Sequence, residues 1–245
     1  MFLELKEVNK SFGKAKVIQD LSLTLEEGGI TALIGPNGSG KTTTFNLIAG
    51  TLPTDSGRIL FRGEDITGLP AYARARKGIV RTFQHTRVFS NLTVEENLKF
   101  AIQSKGVLTS SDRTHEVQDD ISEAIRILDL VRLREEKAKS LSYGQRKLLA
   151  NMMAMLNSPE SRIMLLDEPF AGLSEHMIVK MKDLIRRFNQ SGRTFFVIEH
   201  RSEALTDFCD KVLVLDRGRL IAQGTVAEVR HMPQVIEAYL GGGAS

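Results

Sequence analysis

Continuous apolar runs of strand length stand out along the chain. Ile30-Thr31-Ala32-Leu33-Ile34, Ile163-Met164-Leu165-Leu166, Thr194-Phe195-Phe196-Val197-Ile198 and Val212 to Leu215 have the pattern of parallel strands buried on both faces. A different pattern marks the first quarter. Leu21, Leu23 and Leu25 alternate with Ser22 and Thr24 as in a half-buried strand, and Gly57 to Phe61 with the turn at Gly63 predicts further antiparallel strands. Between these runs the apolar spacing becomes helical. Lys41 to Ala49 reads as a helix stopped by Gly50, and Thr93-Val94-Glu95-Glu96 is a capping box opening another. Ile121, Ala124, Ile125 and Leu128 mark one apolar helical face, and Ile178, Met181, Ile185 and Phe188 mark a second. A further helix runs through Leu156, and the methionines read as core. The polar stretch Thr109 to Asp120 reads as a flexible connection. Strands alternating with helices predict one α/β domain.

The chemistry sits where a strand gives way to a helix. Gly35-Pro36-Asn37-Gly38-Ser39-Gly40-Lys41-Thr42 fits G-x-x-x-x-G-K-[ST], with the strand before it and the helix after it. Side chains at the glycines would block a phosphate. Backbone N–H groups of the loop and the positive end of the following helix suit the α- and β-phosphates of a nucleotide, with Thr43 continuing the first turn. Lys41 then reaches the β/γ-phosphates, and the Thr42 hydroxyl is placed for Mg²⁺. A chance glycine-rich turn is the competing reading of this motif taken alone.

Asp167 and Glu168 close the apolar run from Ile163. Alone, an apolar run ending in Asp-Glu is more often structural than catalytic. Beside a phosphate loop it reads as a pair in which Asp167 holds Mg²⁺ through water and Glu168 polarises the attacking water. Leu141-Ser142-Tyr143-Gly144-Gln145 precedes a helix, and Ser142 suits its N-cap. In this order and spacing it resembles the LSGGQ signature of ATP-binding cassette (ABC) ATPases, with Tyr143 in the variable third position.

That resemblance covers nearly the whole chain. It implies a P-loop NTPase (RecA-like) core with an antiparallel β subdomain, over 1–86 and 159–245, and an inserted helical subdomain over 87–158. It implies ATP and Mg²⁺ as cofactors and hydrolysis of ATP at a dimer interface. There Ser142 and Gly144, with Gln145 in the same motif, bind the γ-phosphate held by the opposite subunit, self or paralogue. Phe12 matches the aromatic that stacks on adenine, with a core phenylalanine as the competing reading. Gln84 matches the glutamine that contacts Mg²⁺ or its water and reports to the membrane partner. His200 matches the switch histidine at the γ-phosphate. The family carries Asp in many members where this chain has Ser174, and Asp in related importers where it has Arg201.

Three short pieces, Arg81-Thr82-Phe83-Gln84-His85, Val197-Ile198-Glu199-His200 and Val235 to Gly241, resemble the ATPase subunits of bacterial branched-chain amino-acid importers. The Asp-Glu-Pro-Phe-Ala-Gly run from Asp167 is shared with lipopolysaccharide-extracting ATPases, the alternative. Chromosome and DNA-repair ATPases need a long coiled coil between Lys41 and Ser142, where only about one hundred residues lie. The resemblance therefore implies ABC permease subunits as partners, the cytoplasmic face of the inner membrane as the location, and no nucleic acid.

Composition changes little in this picture. The net charge of +3 is too small to argue for nucleic acid, and no apolar run approaches the ~20 residues that span a bilayer. The one cysteine, Cys209, cannot form an internal disulfide, so a reducing compartment is expected. From Ile66 to Val94 there is no acid, while Arg74, Arg76, Lys77, Arg81, His85 and Arg87 fall in that window. It reads equally as a solvated basic face or as a surface held near anionic lipid or an acidic permease loop.

Overall fold

The structure, a computed structural model, describes residues 1–82, 88–103, 121–157, 161–199 and 202–241. In chain order its elements begin with β1 (Leu3–Phe12), β2 (Ala15–Leu25), β3 (Ile30–Ile34), α1 (Lys41–Ala49), β4 (Ser56–Phe61), β5 (Glu64–Asp65), α2 (Ala71–Arg76) and β6 (Ile79–Arg81). There follow α3 (Val94–Gln103), α4 (121–127), α5 (Tyr143–Leu156), β7 (Ile163–Asp167), α6 (Glu175–Gln190) and β8 (Thr194–Ile198). The chain ends with β9 (Lys211–Asp216), β10 (Arg219–Gly224), α7 (Val226–Val229) and α8 (Pro233–Gly241). Two compact units result, Met1–Arg81 with Ser161–Pro169 and Asn189–Ser245, and Thr82–Glu160 with Phe170–Phe188. The sequence predicts a split at 87–158 instead. The larger difference is Phe170–Phe188, which groups with the second unit.

The first unit holds two sheets. One is antiparallel with strand order β2-β1-β4-β5, and the other runs β10-β9-β3-β8-β7-β6, parallel except for the β10–β9 edge. Every residue of β3, β7 and β8 is buried, which explains their uninterrupted apolar sequences. In β2, Leu21, Leu23 and Leu25 point inward and the residues between them do not. The two sheets and α1 share a single core. Leu5, Val8 and Leu23 join Leu33, Leu165 and Leu213 through Phe45, Leu47 and Ile48 of the helix. The Phe45 ring meets Phe196 of β8 with centroids 4.9 Å apart. This packing fixes where α1 begins, and so fixes the phosphate loop that leads into it.

Arg74 of α2 closes the other end of that helix. The residue is 1% exposed, and its guanidinium donates to the Leu47 carbonyl at 2.6 Å, the Ile48 carbonyl at 3.0 Å, Leu69 O at 2.9 Å and Thr67 O at 2.8 Å. Carbonyls at a helix C-terminus lack partners within the helix and attract a cation, and Arg74 supplies both needs. Burial pushes its pKa below the ordinary value, only partly offset by the Asp65 charge. Arg74 therefore adds nothing to a basic surface. Lys77 is paired with Glu64 at 2.7 Å, and Arg81 turns inward, while His85 and Arg87 lie outside the described residues. The acid-free window in the sequence is thus not a continuous basic face. The acid that answers Lys77 comes from β5, and the acid that answers Arg81 comes from β7.

The second unit is helical. The predicted capping box opens α3, with Thr93 N–H donating to Glu96 Oε2 at 2.7 Å and Glu96 N–H to Thr93 Oγ1 at 3.1 Å. Ile121, Ala124, Ile125 and Leu128 are buried, as are Ile178, Met181 and Ile185 of α6. Arg134 grips Glu95 through two hydrogen bonds of 2.6 and 2.8 Å, and Lys180 pairs with Asp129 at 2.7 Å. The polar stretch Thr109 to Asp120 lies outside the described residues. Among the described residues no helix is long and apolar enough to cross a membrane.

Candidate functional site

Gly35 to Thr42 connects the end of β3 to the start of α1. Gly35, Gly38 and Gly40 have φ of 150°, 77° and 104°, in the region where a β-carbon is disfavoured. At Gly35 the reason is also spatial, since a β-carbon there would lie 2.0 Å from the Leu215 carbonyl oxygen. At Gly38 nothing lies within 4 Å, so the constraint is conformation and open approach. Gly40 is the N-cap of α1 and makes no side-chain cap bond, and the first turn holds no acid. The helix thus presents an uncapped positive end, with Thr42 exposed beside it. The loop is braced from behind by a hydrogen bond from Gly218 N–H to Ser39 O at 2.9 Å.

Lys41 is 5% exposed, and its ammonium lies back over the loop. It donates to Gly35 O and Pro36 O, both at 2.8 Å. Burial pushes its pKa down, and the carboxylates of Glu168 and Asp167 push it back up. One charge field therefore joins the lysine to the two acids. Asp167 is buried at the end of β7, where Leu166 and Asp167 pair with Val197 and Ile198 of β8. Glu168 follows at φ 50°, with its N–H donating to Ile198 O at 3.0 Å. For a residue with a β-carbon that conformation costs about 1–3 kcal/mol and persists only where the surrounding fold holds it.

Phe12 ends β1 at a two-residue turn through Gly13, and the residue is 52% exposed. The core reading of Phe12 is thereby excluded. Asp55 anchors the backbone just before it, accepting from Ser11 N–H and from Lys10 Nζ, each at 2.6 Å. Those bonds, the Lys10 one first, hold the Asp55 carboxyl below its ordinary pKa. Lys10 Nζ also stands 5.8 Å from the centre of the Phe12 ring.

In the second unit, Ser142 caps α5. Its hydroxyl accepts from Gln145 N–H at 3.3 Å, and the Gln145 side chain accepts from Ser142 N–H at 2.8 Å. Ser142 and Tyr143 are exposed, while Gly144 is buried with a would-be β-carbon 2.2 Å from Met177 Sδ. Gly144 is thus small because α6 approaches closely. Ser174 stands just before α6, with its carbonyl accepting from Ile178 N–H at 2.9 Å. Gln84, His200 and Arg201 lie outside the described residues.

The sequence offers no local sign of two partners at the site. Arg81 pairs with Asp167, and Asp55 anchors the segment before Phe12. Candidate donors for Mg²⁺ are the Thr42 hydroxyl and the Asp167 carboxylate, and no group of three or more His, Cys, Asp or Glu side chains suits a metal among the described residues. That sparse set fits Mg²⁺, which keeps several waters and is held by one or two carboxylates plus substrate phosphates.

The family described as ABC transporter matches residues 18–171, and the one described as branched-chain amino acid ATP-binding cassette transporter matches residues 219–245. The chain is 34% identical over 239 residues to the lipopolysaccharide export system ATP-binding protein LptB of Escherichia coli, covering 98% of this chain and 97% of that one. It is 36% identical over 241 residues to the high-affinity branched-chain amino acid transport ATP-binding protein LivG of Salmonella typhimurium, covering 94% of each. Among solved structures it is similar to the ADP conformation of an ATP-binding cassette of an ABC transporter, with a TM-score of 0.82, 31% identity and 98% of each chain covered.

Proposed function

The chain belongs to the ABC transporter ATP-binding family of ATPases, and from that membership we propose that it powers a membrane permease importing branched-chain or related amino acids. The observation that carries the amino-acid reading is the match of residues 219–245 to the branched-chain amino acid family, a region that includes Tyr239. Export of lipopolysaccharide is the second reading, favoured by 34% identity to LptB over 98% of the chain. The protein would sit on the cytoplasmic face of the membrane, held there by its permease.

Each residue has a chemical task in this reading. The Phe12 ring offers its exposed face to adenine, and loop N–H groups with the start of α1 bind the α- and β-phosphates. Lys41 turns its ammonium toward the β/γ-phosphates, where it neutralises charge as the bond to the leaving ADP oxygen breaks. When bound, Mg²⁺ adds electrophilic charge at the phosphates, and Thr42 and Asp167 are the residues that would hold it. Glu168 accepts a proton from water as the water oxygen attacks the γ-phosphorus, giving ADP and phosphate. Gln84 and His200 would complete the site from the membrane-reporting and switch positions.

A complete site needs two chains, because one chain supplies one phosphate loop and one Ser142-Tyr143-Gly144 motif. Two subunits, or this chain and a paralogue, would close head to tail on two ATP molecules and reopen after hydrolysis. The solute is tested by purifying the tagged protein with its native membrane complex and identifying the permease by mass spectrometry. Amino-acid permease subunits are expected. Recovery of lipopolysaccharide-transport subunits in their place would transfer the assignment to the second reading.

A further inference from the structure

We propose that Arg81 is a positioning residue for the Asp167 carboxylate and so tunes the site's use of Mg²⁺. Arg81 Nη2 donates to Asp167 Oδ2 at 2.8 Å, and Arg81 Nη1 donates to the Asn46 side-chain oxygen. The two charged side chains are 16% and 4% exposed. Arg81 ends β6, which pairs in parallel with β7 so that Arg81 lies opposite Leu165, and its guanidinium reaches forward to the carboxyl end of the neighbouring strand. Ligands of open α/β sheets bind at that end. Asn46 belongs to α1, the helix that opens at the phosphate loop, so one planar guanidinium links the acid to the helix that carries the cradle. Lysine could not hold both acceptors with the same fixed fork.

The pair is a poor device for stability alone. A buried ion pair recovers its desolvation cost only when its remaining polar atoms are also satisfied, and Arg81 Nε is buried without a hydrogen-bond partner among the described residues. Holding a metal-facing carboxylate in one orientation is a different task, and partners of this kind commonly change metal affinity by roughly 10- to 100-fold when removed.

This inference rests on the reading of Asp167 as the carboxylate that faces Mg²⁺. The test measures affinity for a fluorescent ATP analogue in EDTA and again in Mg²⁺, for the parent, Arg81→Gln, Arg81→Lys and Asp167→Asn. Arg81→Gln should bind in EDTA within about threefold of the parent but lose roughly tenfold or more of the gain conferred by Mg²⁺. Arg81→Lys should fall between the two. Should Arg81→Gln not fold, Asn46→Ala removes the other anchor of the fork, and it should also reduce the Mg²⁺ gain. A full or enlarged gain in the Arg81 variants, or in Asn46→Ala where that replaces them, together with a lost gain in Asp167→Asn, would overturn the role of Arg81 and leave Asp167 in place. A full gain in Asp167→Asn would instead remove the reading on which the inference stands.

Discussion

Replacing Glu168 with Gln should lower ATP hydrolysis by about 10²–10⁴ while leaving ATP binding close to the parent's. The substitution keeps the shape of the side chain and its capacity to hydrogen-bond, but it removes the carboxylate proposed to take the proton from water. Glu168 adopts φ 50° directly after the strand end that carries Asp167, and the Glu168 charge acts on the Lys41 ammonium. Steady-state phosphate release with affinity measured in parallel separates chemistry from binding. Turnover near the parent's rate would remove Glu168 from the role of base.

Lys41→Met should produce a large loss of binding. The substitution keeps the buried stem and deletes the ammonium that is aimed into the loop. Truncating one side of a desolvated charge contact costs roughly 2–4 kcal/mol, or about 30- to 1000-fold in affinity. Calorimetry with ATP checks this directly. The ammonium also ties together Gly35 O and Pro36 O at 2.8 Å, so circular dichroism and thermal unfolding should accompany the titration to show that the core is intact. Unchanged affinity would contradict the cradle.

The fold was largely legible from local pattern. Buried parallel strands announce themselves by continuous apolar residues, as in β3, β7 and β8, and the glycines of the loop announce a turn that a β-carbon would obstruct. The N-cap at Ser142 was readable from residue type, and the acids at the end of β7 gained meaning only beside the phosphate loop. What stayed hidden were contacts between residues far apart in the chain. Arg74 and Arg81 fall in an acid-free window, and sequence distance conceals that one caps α1 and the other pairs with an acid 86 positions away. Gly144 illustrates the converse. Its place in the signature suggests anion binding, but the structure adds a packing reason, the approach of Met177. Asp55 was missed because its partners, Lys10 and Ser11, lie more than 40 positions earlier.

The shared ATP site is the central claim, and it is tested most directly by the oligomeric state of the slow-hydrolysing protein. Glu168→Gln protein should shift from monomer to dimer when ATP and Mg²⁺ are added, read by light scattering on a sizing column. Adding Ser142→Arg should abolish that shift, because Ser142 is exposed at the start of α5 and the larger side chain would obstruct the opposite γ-phosphate. A double variant that dimerises with ATP as readily as the single one would contradict a site built from two chains.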